Sequence, residues 1–244
     1  MAAQVVLLAL ALSLPRGAKL IEVAPLPASV HKDRALVLWM RVRSSTRNCD
    51  DWKEEWAPIC PGSTSGCSYS GPTRVSLVDT ATNKIINTIV IRDSHDAPST
   101  FIGAQRERGR DSLVIPYWLG DGGPYAAKDG KPHILLLKDY NGDGDATEFA
   151  LFNAWSCSDL LTTLIGYSRK QDRVIRYPVR LRWTESESSE EITSYWVEHL
   201  FANAPEKPGV WKYTARYPGA DETYEIHYDA EHEAFEGTCR VKSN

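Results

Sequence analysis

The chain has 244 residues, of which 42% are hydrophobic and 25% charged, with a formal net charge of −4. That is the balance of a globular protein with enough chain for one sizeable domain or two small ones, and it excludes a disordered or low-complexity polymer. No Lys/Arg cluster is interleaved with stacking aromatics, which gives no support for a nucleic-acid surface.

Taken in order, Val5-Val6-Leu7-Leu8-Ala9-Leu10-Ala11-Leu12 is an apolar run too short to span a membrane and placed where a secretory signal would lie. Ala11-Leu12-Ser13 offers small residues for cleavage after Ser13, although no Lys or Arg precedes the run. The expectation is a signal peptide over 1–13, a single β-rich domain over 14–244, and a secreted or periplasmic location; a buried N-terminal element is the alternative. No second long apolar run follows, so no membrane span is expected. Five cysteines, Cys49, Cys60, Cys67, Cys157 and Cys239, allow at most two bridges in an oxidising compartment and leave one thiol over. The first three lie in an irregular stretch rich in Gly, Ser and Pro from Asn48 to Gly71. There Cys60–Cys67 is the expected disulfide, closing a short loop, and Cys157 with Cys239 is a weaker pairing.

Strand patterns dominate the middle of the chain. Ala35–Arg43 reads as a strand, and Thr73–Asp79 followed by Lys84–Arg92 reads as a hairpin with Thr80-Ala81-Thr82-Asn83 as its polar turn. Asp93 to Asp111 is charged and weakly periodic, a solvated loop. Ser112–Trp118 is a further short strand, followed by a turn at Gly120-Asp121-Gly122-Gly123-Pro124. That glycine cluster lacks the Lys-Ser/Thr ending of a phosphate loop and opens no helical pattern.

The stretch that names a chemistry is Asp139-Tyr140-Asn141-Gly142-Asp143-Gly144-Asp145-Ala146-Thr147-Glu148. Oxygen side chains at Asp139, Asn141 and Asp143 recur every second residue and Gly144 follows, which fits the D-x-[DN]-x-[DN]-G calcium pattern; Asp145 and Glu148 complete the candidate ligand set. A hard cation takes six to eight oxygens at about 2.3–2.6 Å, and alternating positions of a tight loop turn several side chains inward where glycine permits the bend. An ion-free Asx-rich turn is the alternative. Position twelve is Ala150 rather than Glu, and the flanks Ile134-Leu135-Leu136-Leu137 and Phe149-Ala150-Leu151-Phe152 read as strands, not helices. On these residues the segment resembles the calcium loops of FG-GAP-type repeats and other DxDxDG proteins outside the EF-hand. The resemblance implies side-chain ligation by Asp139, Asn141 and Asp143 and backbone or side-chain ligation by Asp145. Thr147 stands where FG-GAP loops usually carry Asp, with Glu148 one residue beyond. It covers about a dozen residues and implies a structural Ca2+, not an activity. The run through Leu160–Ser168 is also similar to secreted bacterial proteins of uncharacterised function.

Beyond the loop, Arg173 to Trp183 alternates: Ile175, Tyr177, Val179, Leu181 and Trp183 share one face. Arg176, Arg180 and Arg182 take the other, a solvated or ion-paired face on an edge strand because of Pro178. Ser188 with Glu191 forms a capping-box pattern, and Ile192, Trp196 and Leu200 recur at i, i+4 and i+8, so a helix packed on a sheet is expected from Ser188 to Pro205, with His199 as a packing residue. Two C-terminal strands share faces only if Tyr217 lies opposite Tyr224, Arg216 opposite Glu225 and Lys212 opposite Asp229. His227, Glu231, His232 and Glu233 read as a polar hairpin tip, with a transition-metal site as the alternative. No nucleophile elbow and no H-E-x-x-H is present.

The sequence therefore points to a mainly β fold, with antiparallel sheets in a sandwich, barrel or α+β arrangement and one helix in the C-terminal half. The functional expectation is a secreted, calcium-stabilised, non-catalytic module that binds an extracellular protein or glycan. A secreted hydrolase with unidentified acidic residues is the alternative.

Overall fold

The computed structural model describes residues 14–41, 70–71, 73–91, 113–114, 134–154, 160–185 and 188–243. The signal-peptide reading of 1–13, the Cys60–Cys67 bridge, the charged loop 93–111 and the glycine turn at 120–124 lie outside the described residues.

The class is mainly β with antiparallel sheets. The first sheet holds β1 (Ala18–Pro25) and β2 (Arg34–Arg41), joined across the short helix α1 (Ala28–His31). β3 (Ser70–Gly71) pairs with β6 (Leu113–Val114), all that is described of the strand expected over 112–118. The expected hairpin is present as β4 (Thr73–Asp79) and β5 (Lys84–Ile91), which completes the order β1-β2-β4-β5. Its turn is held by the Asp79 carboxylate, which accepts from both the backbone and the hydroxyl of Thr82.

The second sheet contains β7 (Glu148–Ala154), β8 (Leu160–Ser168), β9 (Arg173–Arg176) and the two-residue β12 (Val197–Glu198), with β9 and β12 both paired to β8. Its strands are buried on both faces. Phe149, Leu151, Ile165 and Tyr167 pack with Leu36, Leu38, Val75 and Leu77 of the first sheet. Ala150 and Leu164 point the opposite way, into a cluster with Trp211, Ile226 and Phe235. This is why β7 and β8 read as continuous apolar runs rather than as alternation. At about 1.5–3 kcal/mol per fully buried large side chain, these two clusters outweigh every surface ion pair in the molecule.

The third sheet is ordered β11-β10-β15-β14-β13, from β10 (Val179–Glu185), β11 (Ser188–Ser194), β13 (Val210–Tyr217), β14 (Ala220–Asp229) and β15 (Ala234–Ser243). Three corrections to the sequence reading arise here. The run Arg173–Trp183 is not one edge strand: it breaks at Tyr177-Pro178, where β9 leaves the second sheet and β10 enters the third. Tyr177 N–H donates to Leu164 O and Phe235 N–H to Pro178 O, so the corner is bonded on both sides. The proline has no N–H to offer a ladder, and the chain changes sheets at that residue.

The helix expected from Ser188 is absent. Ser188–Ser194 is an edge strand against β10, and only a 3₁₀ turn, Leu200–Ala202, follows. Ile192 is at the surface, while Trp196 joins the first core cluster and Leu200 the second. The i, i+4, i+8 spacing therefore arises from three separate environments. Ser, Thr, Ile, Tyr and Val make a poor helix, and β10 needed a partner for its outer edge.

The C-terminal strands do pair antiparallel, but in another register: Tyr217 faces Ala220, Arg216 faces Asp221, Tyr213 faces Tyr224 and Lys212 faces Glu225. The shift is four residues, an even number, so each side chain keeps its face of the sheet although its partner changes. Tyr213 and Tyr224 stack at 4.7 Å, and Lys212 pairs with Glu225 at 2.8 Å. Pro218-Gly219 decides the register, because a proline followed by a glycine at φ 95° closes a two-residue turn.

Cys239 is a free, buried thiol on β15; Cys157, its weaker expected partner, lies outside the described residues.

Candidate functional site

The oxygen-rich loop 139–148 enters β7 from the extended segment Ile134–Leu137, which is not a strand. The backbones of Ile134 and Leu135 are instead held by the Glu22 carboxylate. Lys138 and Glu148 exchange two backbone hydrogen bonds and close the base of the loop. The loop then coils on its own side chains. Asp139 accepts the N–H groups of Gly142 (2.7 Å) and Gly144 (3.0 Å), Asn141 Oδ1 accepts that of Asp143 (2.9 Å), and Asp143 Oδ1 accepts that of Asp145 (2.8 Å). Short oxygen side chains at alternate positions serve as acceptors for a backbone bent too sharply to pair with itself.

The coil is mounted on the chain leading into β13. Gly209 N–H donates to Tyr140 O, and the two segments approach so closely that a Cβ at Gly209, whose φ is 78°, would lie 2.5 Å from the Asn141 carbonyl oxygen. Beneath, the Tyr140 ring stacks on Trp211 and meets Phe201 edge-on. The loop is thus fixed to the second core cluster by an aromatic anchor.

Glu148 is the deepest of the predicted ligands, with 0% of its surface exposed. It starts β7 on the same face as Ala150, and its partner across the ladder is Gly166, where a Cβ would crowd the Glu148 Cγ to 2.7 Å. Its carboxylate accepts from Thr147 Oγ1 (2.5 Å), from Tyr140 N–H (3.1 Å) and from Asn141 Nδ2 (3.2 Å). No cationic side chain pairs with it among the described residues. Burial pushes its pKa from 4.5 up to about 8; the three hydrogen bonds oppose that rise, and the nearby Asp143 charge adds to it.

Asn141 donates from the same nitrogen to Asp143 Oδ2 (3.2 Å) and so links the surface carboxylate to the buried one. The structure therefore brings Asn141, Asp143 and Glu148 together, spreads Asp139 over the loop's own N–H groups, and turns Asp145 outward into an ion pair with Arg169. The one set of three His, Cys, Asp or Glu groups that closes to within 4.8 Å among the described residues lies elsewhere: Asp229, His232 and Glu236.

That second set belongs to the β14–β15 hairpin tip. The Asp229 carboxylate accepts the Glu231 and His232 N–H groups and contacts His232 Nδ1 at 2.7 Å, which raises the imidazole pKa. Glu236 is tied to Arg180 at 2.8 Å. His227 and Glu231 are not part of the set. Each ionisable group of the set has an internal partner.

The arginine face divides. Arg180 pairs with Glu236 and Arg182 with Glu191, the ion-paired face expected. Arg176 departs from it. Its guanidinium lies 4.8 Å from the Tyr195 ring centre and 5.1 Å from that of Trp196, donates from Nε to Thr163 Oγ1 at 2.9 Å, and leaves Nη2 buried without a hydrogen-bond partner. Burial lowers its pKa to about 10, which leaves it charged at neutral pH. It lines a cleft of about 670 Å³ between β5 and β9. Sequence reasoning missed this group because Tyr195 and Trp196 had been assigned to a helix.

Comparison of the chain with protein-family models, with curated proteins and with solved structures finds no match.

Proposed function

We propose that the protein is a secreted, non-catalytic binding module whose 139–148 loop takes a calcium ion that stabilises the fold, and whose surface engages an extracellular glycan or protein. The observation that carries this reading is Glu148: a carboxylate wholly inside the molecule, with no cationic side chain against it, joined through Asn141 to a second carboxylate at the loop surface. A buried uncompensated carboxylate is costly, and it is neutralised by a proton or by a cation. Asp139, Asn141, Asp143 and Glu148 offer the oxygen donors that a hard divalent ion takes. An ion there requires the Asn141 amide, whose nitrogen donates to both carboxylates in this structure, to flip and present its oxygen, and the Asp139 carboxylate to leave the loop N–H groups.

The hydrolase reading draws less support from the same residue. Among the described residues Glu148 is the carboxyl group held furthest above its ordinary pKa, as a general acid must be, yet it is sealed under Thr147 and Tyr140 where no substrate reaches it.

Thermal melting in calcium and in chelator tests the ion. The wild type is expected to melt higher in calcium and Asp143→Ala to lose the difference; identical melting of the wild type in both media overturns the calcium site. A glycan array with the mature chain tests the partner.

A further inference from the structure

We propose that the cleft between β5 and β9 binds a negatively charged saccharide, with Arg176 and Arg173 facing its acid group and the Tyr195 ring stacking on the sugar. This deepens the binding-module reading and rests on it, though not on the ion loop.

Three features of the cleft support the assignment. First, Arg176 is a built cation without a counter-ion. Clamped between two aromatic rings, it has the Thr163 hydroxyl as its sole hydrogen-bond partner and no carboxylate among the described residues. A guanidinium carries five donors in a fixed fork suited to carboxylate or sulfate, and Arg176 lines the cleft although its Nη2 atom is itself buried. The aromatic sandwich fixes the fork in place, so little ordering remains to be done on binding.

Second, the lining has two chemistries. Arg173 and Arg176 supply positive charge, whereas Glu233 and Gln171, bonded to each other at 2.6 Å, supply planar acceptors for hydroxyl groups. A bare inorganic anion is repelled by Glu233 and leaves the ring unused. A ligand with an acid end and a hydroxyl-rich end satisfies both sides.

Third, the cleft has the size and the surface for such a ligand. About 670 Å³ lies within the usual 300–1,000 Å³ of small-ligand sites, well beyond one oxyanion. Tyr195 is 45% exposed, the most exposed of the large hydrophobic side chains described. The walls are fixed to each other by Asn87, which both donates to Val174 O and accepts from Val174 N–H, tying β5 to β9.

Calorimetric titration of the full chain with sodium glucuronate, methyl glucoside, sodium sulfate and an acetylated glutamate peptide tests the assignment. The expected result is saturable glucuronate binding that exceeds that of the other three probes. Arg176→Lys is expected to weaken it by about tenfold or more, the loss of a charge-assisted hydrogen bond. Because Arg176 is packed, Tyr195→Ala at the surface serves as the second variant and is expected to weaken glucuronate binding several-fold while the chain still unfolds cooperatively on melting. Glucuronate binding that survives both variants overturns the site, as does tighter binding of sulfate or of the peptide. If glucuronate fails while a glycan array or a pull-down of extracellular proteins detects another partner, this site falls and the module reading stands; if neither a glycan nor a protein binds, both fall.

Discussion

Replacing Glu148 with Gln tests the account of the loop most directly. The folded chain holds the Glu148 proton up to about pH 8, whereas the side chain ordinarily loses it near 4.5. Because the folded-state pKa is the higher one, the folded protein binds more protons across this window, and stability falls as pH rises from about 4.5 to about 8, then levels off. The slope is about 1.4 kcal/mol per pH unit and the whole fall is on the order of 3–5 kcal/mol. A calcium ion reverses the penalty: at a free concentration a hundredfold above its dissociation constant it adds about 2.7 kcal/mol, or roughly 5–10 °C in melting temperature for a chain of this size. The assay is denaturant and thermal unfolding from pH 5 to 9, in calcium and in chelator, for both proteins. In chelator the wild type is expected to lose stability with rising pH while Glu148→Gln stays flatter. In calcium the wild-type slope shrinks and the variant gains little. Parallel pH profiles for the two proteins in chelator would refute the assignment of Glu148 as the buried titrating group, and equal calcium shifts would remove it from the ion site.

Three further outcomes follow from contacts elsewhere. Arg34 bridges Asp79 (2.6 Å) and Asp172 (2.9 Å) between the first sheet and the β8–β9 turn, so Arg34→Ala is expected to cost about 1–3 kcal/mol in urea unfolding. Gly209→Ala forces a Cβ against the Asn141 carbonyl at an unfavourable φ; a loss of about 1–3 kcal/mol together with a weakened calcium response is expected, and an unaltered calcium response would show that the loop does not depend on this mounting. Burial pushes the Cys239 thiol up to about 12, so its alkylation at pH 8 is expected only after denaturation, as peptide mapping would show.

Local chemistry was legible in the amino-acid order alone. The period-two runs and polar turn of the β4–β5 hairpin, the face parity of β13 and β14, and the every-second-residue oxygens that coil the 139–148 loop all depend on neighbours a few positions apart, and each appears in the structure. Tertiary structure decided the rest. An even register shift keeps every face intact, so alternation could not distinguish Tyr217 opposite Tyr224 from Tyr217 opposite Ala220; closure of the Pro218-Gly219 turn did. The stretch from Ser188 became a strand because β10 offered it an edge, which no spacing within the stretch encodes. Whether a carboxylate or a guanidinium is solvated depends on what the far parts of the chain lay over it. Gly166 and Thr147 enclose Glu148, and Tyr195 and Trp196 clamp Arg176, which gives two residues of ordinary appearance the least ordinary surroundings in the fold.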